Sequence, residues 1–107
     1  MHNPKIDQLL EFLKEDPTDS FTIYALALEY EKSDSSKAEE FYKLLLTKHP
    51  DYLATYYQAG KFYEKYDKDQ SKKIYRDGME LAQQLKKMKA FNELQSALNI
   101  LLDEEYD

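Results

Sequence analysis

The sequence predicts an all-α fold built from repeated antiparallel helix pairs, and three observations predict it. Only two glycines and three prolines occur in 107 residues, too few for a sheet-rich fold with many tight turns. Apolar residues recur at helical spacing along most of the chain. Finally, "YALALEYEK" at 24–32 returns as "YQAGKFYEK" at 57–65. Tyr24, Tyr30, Glu31 and Lys32 thereby match Tyr57, Tyr63, Glu64 and Lys65 at a shift of 33 residues, a period typical of helical repeats.

The elements follow in order. Ile6, Leu9, Leu10 and Leu13 form one apolar stripe and predict a helix over 5–15. Asp16-Pro17 ends it, because a residue before proline is pushed out of the helical region. Ile23, Leu26, Ala27 and Tyr30 predict a second helix from about Ser20 to Lys32, with Thr18, Asp19 and Ser20 as capping candidates. An alternating strand reading of "FTIYALALEY" fails, since its alanines and leucines favour helix and "ATYYQAGKFY" keeps no alternation. "SDSS" at 33–36 reads as a turn, with Asp34 or Ser35 capping a third helix through Ala38, Phe41, Tyr42, Leu45 and Leu46. That helix stops near His49-Pro50. A fourth helix is expected over 52–66, a polar turn at "DKDQ" 67–70, and a fifth helix from Ser71 to about Lys87. Phe91, Leu94, Leu98, Leu101 and Leu102 predict a last helix over 89–102, with one long bent helix as the competing reading of this region. The acidic "DEEYD" at 103–107 is expected to fray.

Composition bounds the function. The longest apolar run is Leu44-Leu45-Leu46, far short of the ~20 residues of a membrane span. No secretory signal pattern opens the sequence, and Met1 is read as the start of an entire chain. The absence of cysteine removes disulfides and thiolate chemistry, and it fits a cytoplasmic setting. A net charge of −6 disfavours nucleic acid and favours a partner with basic character. The lysine-rich stretch 68–89 reads mainly as a solvated helix face, with Lys73–Asp77 and Arg76–Glu80 as i,i+4 pairs. An anionic docking site at Lys72, Lys73 and Arg76 is the lesser reading.

Nothing points to catalysis. His2 and His49 stand alone, and no H-E-x-x-H, P-loop or G-x-S-x-G occurs. "DKDQ" opens like a calcium loop but lacks the turn glycine and the twelfth-position glutamate. The chain is read as a non-enzyme with no cofactor and no metal.

The 33-residue shift also aligns Pro17 with Pro50, Ala27 with Gly60, Ala38 with Ser71, and Tyr42 with Tyr75. On these residues, with Leu26-Ala27 and Ala59-Gly60, the sequence resembles the tetratricopeptide repeat (TPR) family, and more loosely its small stand-alone bacterial members. Each unit is one residue shorter than the usual 34, the usual tryptophan is replaced by Ile23 and Tyr56, and the second unit lacks its proline. The resemblance implies a single domain, a short right-handed superhelix. Residues 1–17 would form an N-terminal half-repeat, 19–50 repeat 1, 51–82 repeat 2, and 83–107 a capping helix and acidic tail.

It implies function as well. The family's concave groove is lined by the first helix of each unit, which carries over to Tyr24, Leu28 and Glu31 and to Tyr57, Lys61 and Glu64, with Gln58 and Phe21 as neighbours. Each trio falls at i, i+4 and i+7, one stripe on a helix. The small residues and Tyr30, Tyr63, Tyr42 and Tyr75 are expected in the core. Tyr24 and Leu28 stand where a carboxylate clamp would hold lysine and asparagine. The expected activity is therefore docking of a protein or peptide with apolar and basic groups. The alternative is self-assembly into a homo-oligomer, through the repeat ends or the amphipathic C-terminal helix.

Overall fold

The computed structural model of the chain describes residues 2–105. Among them are six helices and no strand, divided between two compact units, Met1–Tyr52 and Leu53–Asp107. The expected fraying of the tail falls partly on Tyr106 and Asp107, outside the described residues; Asp103 and Glu104 are helical.

Unit 1 holds α1 (Pro4–Glu15), α2 (Ser20–Tyr30) and α3 (Ser35–Lys48), with α2 packed against both neighbours. Asn3 caps α1, its side-chain oxygen accepting from the N–H groups of Lys5 at 3.0 Å and Ile6 at 3.3 Å. Pro4 then occupies the first helical position, where a missing N–H costs nothing. Of the three capping candidates for α2, Asp19 fills the place, accepting from Thr22 N–H at 3.1 Å. Asp34 caps α3 through Lys37 N–H at 3.2 Å. Between them α2 closes at Tyr30, two residues earlier than expected, and Asp34 N–H bonds back to Tyr30 C=O at 2.7 Å. Glu29 ties α2 to α1, lying 3.1 Å from Lys32 and 3.8 Å from Lys5. Its carboxyl is held below the usual range, chiefly by the hydrogen bond from Lys32.

Unit 2 holds α4 (Ala54–Tyr63), α5 (Lys68–Gln84) and α6 (Met88–Glu104), with α5 packed against both others. α4 is shorter at both ends than the expected 52–66. "DKDQ" is not a polar turn: Asp67 caps α5 through Gln70 N–H at 3.1 Å, and Lys68 already belongs to the helix. The cap repeats Asp34 at a shift of 33, and Asp67 N–H bonds to Tyr63 C=O at 2.8 Å as its counterpart does. A capped helix start is as polar as a turn, so composition alone misreads it.

The stretch after Met79 is two helices, which removes the long bent helix. Here α5 stops at a Schellman motif instead of a proline. Lys87 N–H reaches Ala82 C=O at 2.8 Å and Lys86 N–H reaches Gln83 C=O at 3.1 Å. Lys86 takes the left-handed position, with φ of 59°.

The cores confirm the expected division of small and aromatic residues. Ala27, Ala38, Gly60 and Ser71 are buried, and so are Tyr42, Tyr63 and Tyr75. Tyr30 is half-buried and stacks on Phe41 at 5.6 Å. Where α4 and α5 cross, Ser71 Oγ donates to Gly60 C=O at 2.7 Å. A methyl at Gly60 would stand 2.2 Å from Cε1 of Tyr75, and one at Gly78 would stand 2.5 Å from Cβ of Tyr56 and 3.1 Å from Cδ1 of Leu94. Leu94, Leu98 and Leu101 are buried in unit 2. That corrects the expectation that this stripe of α6 is free to pair with another copy, because α6 spends it on packing in its own unit. None of the helices of the described residues is long and apolar enough to cross a membrane.

Candidate functional site

The two glutamates repeated in the nonapeptides, Glu31 and Glu64, each have an equivalent tyrosine partner on the following helix. Tyr42 on α3 donates its hydroxyl to Glu31 Oε2, and Tyr75 on α5 donates to Glu64 Oε2. Donor and acceptor are eleven residues apart in both units, so each bond ties the end of the first helix to the second. Both phenols are fully buried. Burial first, and the adjacent carboxylate second, push the ionisation of Tyr42 and Tyr75 far above that of a free tyrosine.

The other candidates of unit 1 lie along α2. Tyr24 is half-buried with its ring 5.7 Å from that of Tyr52, Leu28 is half-buried, and Phe21 is exposed. In unit 2, Tyr57 and Lys61 enter one open groove of about 500 Å³ between α4 and α6. Lys61 Nζ sits 5.9 Å from the centre of the Tyr57 ring and 3.8 Å from Glu64. Gln58 is half-buried and does not line this groove. The opposite wall is Asn92, Glu93, Ser96, Ala97 and Ile100 of α6. The sequence reading missed that wall because it followed only the buried stripe of α6. The signal was present: 92, 96 and 100 form an i, i+4, i+8 row of their own.

Solved structures show what this architecture is similar to. A tetratricopeptide repeat domain protein from Salinibacter ruber, determined in solution, is 41% identical with a TM-score of 0.75, over 80% of this chain and 89% of that one. Its crystal structure gives 39% identity and a TM-score of 0.73, over 79% and 97%. The chain belongs to the tetratricopeptide repeat family. A Bordetella parapertussis protein, at 20% identity and a TM-score of 0.80 over 98% of this chain and 92% of that one, shares the fold. No protein-family model matches the chain, and no curated protein does either.

As a TPR protein, the chain is a helical repeat of the kind that serves protein interaction. Of the three residues of the anionic reading, Lys72, Lys73 and Arg76, the two lysines are already paired with carboxylates. Lys72 lies 3.5 Å from Asp69 and also pairs with Glu105, while Lys73 pairs with Asp77 at 2.6 Å as the sequence predicts. Among the described residues no group of three or more His, Asp or Glu side chains is placed to hold a metal.

Proposed function

We propose that this TPR protein is a non-enzymatic interaction module that docks a peptide segment in the groove between α4 and α6. The observation carrying this reading is the composition of that groove. Tyr57 offers a stiff ring with a hydroxyl, and Ile100, 60% exposed, offers an apolar contact. Asn92 and Ser96 add donors and acceptors for a peptide backbone. Lys61 is engaged by Glu64 and Tyr57, so the carboxylate of Glu93 is the charge left facing a partner. A segment with one apolar and one basic side chain fits this set. In unit 1, the α2 stripe of Tyr24 and Leu28 is proposed as a second contact surface.

The test is a peptide array followed by titration of isotope-labelled protein. Peptides combining Lys or Arg with Leu or Phe should be retained, and they should shift the resonances of Tyr57, Ser96 and Ile100. Equal retention of acidic peptides, or shifts confined to α3 and the outer face of α5, would contradict the proposal.

A further inference from the structure

Two exposed patches lie outside the groove, and their chemistries are complementary. The first is the corner between α5 and α6. Leu85 and Met88 are 46% and 56% exposed there, beside exposed Lys86, Lys87 and Lys89. Among the described residues, none of these lysines has a carboxylate partner within ion-pair distance. Lys86 holds the one positive φ among the described residues, at a place in the Schellman motif where glycine is usual. A cation kept in a strained backbone position points to a use for that cation.

The second patch is on α1. Leu10, Leu13 and Pro17 line an open groove of about 570 Å³, rimmed by Asp7, Glu11 and Lys14. Lys14 pairs with Glu11 at 3.2 Å and His2 lies 3.1 Å from Asp7, so the rim carries two carboxylates against one lysine. Glu15 and Asp16 add negative charge nearby, and the net charge of −6 falls almost wholly on unit 1.

We infer that the Leu85–Lys89 corner of one copy docks in the α1 groove of a second copy of this chain. Leu85 and Met88 enter among Leu10, Leu13 and Pro17, while the three lysines face Asp7 and Glu11. The two surfaces differ, so the contact is heterologous and one copy can engage two neighbours. Opposite charges on the rims make the association salt-dependent. This inference stands apart from the α4–α6 groove, which it leaves open.

Sedimentation of the full chain over a micromolar concentration series tests it. At low salt the weight-average mass should rise above the 12.7 kDa monomer, and at high salt it should return there. Lys86→Glu/Lys87→Glu/Lys89→Glu and, separately, Asp7→Lys/Glu11→Lys should each weaken assembly at least about tenfold. Mixing the two variants should restore it, since each then presents the charge the other lacks. Should the second variant melt early, Asp7→Asn/Glu11→Gln must weaken assembly in the same direction. A monomer at every concentration and salt would overturn the inference, including a monomer that binds acidic vesicles or RNA through the lysine corner. Assembly undiminished in either variant, or no assembly in the mixture of folded variants, would overturn it too.

Discussion

At the residue scale, the two units use the same positions with different tolerances. Gly60 occupies the place of Ala27, but Tyr75 leaves it no room for a methyl. Replacing a helical glycine with alanine ordinarily stabilises by about 1 kcal/mol. Here the new carbon meets a buried ring whose hydroxyl is fixed by Glu64, and overpacking costs about 1–3 kcal/mol. Gly60→Ala should therefore lower stability in a denaturant titration, against its helix propensity. Thr55 shows the reverse case. Its counterpart Thr22 donates to Asp19 at 2.5 Å, but Thr55 Oγ1 is buried with no partner among the described residues. The residue three before it is Tyr52, where Thr22 has an aspartate. Thr55→Val should raise stability by about 1 kcal/mol, measured as a higher melting temperature.

The residue scale is also where the sequence was most readable. The echo of Tyr30, Tyr42, Ala27 and Ala38 in the second half marks the core of both units. Its repeated glutamates, Glu31 and Glu64, gave no sign of their tyrosine partners. Those partners lie eleven positions away on the next helix, beyond the reach of any pattern within one helix.

At the element scale, helix existence followed from apolar spacing, while helix ends followed from hydrogen bonds that composition hides. Proline marked the ends of α1 and α3, but α5 ends on a left-handed lysine that no sequence pattern flags. Lys86→Gly should relieve this backbone strain and stabilise unit 2 by about 1 kcal/mol, read as a higher urea midpoint. The tyrosine ties make a second prediction. The phenols of Tyr42 and Tyr75 ionise at higher pH in the folded protein than in the unfolded chain. Their contribution is thus complete below the ordinary value of 10.0 and is lost as pH rises above it. Stability should fall above pH 10 by up to about 1.4 kcal/mol per pH unit for each tyrosine. Tyr75→Phe should be less stable at neutral pH yet show a shallower alkaline decline, followed by circular dichroism.

For the molecule as a whole, the period of 33 marked a helical repeat, the residues it aligns carried the resemblance to the family, and that resemblance pointed to the first helix of each unit as the binding surface. Half of the groove in unit 2 was legible in this way, through Tyr57 and Lys61. The other half belongs to α6, whose outward row lies outside the repeat and so had no echo to reveal it. Docking in this groove is the central claim. Its most direct test is the affinity of a basic, apolar peptide for wild type, Tyr57→Ala and Glu93→Lys, each with its melting temperature. Affinity at least about tenfold weaker in both variants, with melting unchanged for the exposed Glu93→Lys, is the predicted result. Equal affinity in all three proteins would contradict it.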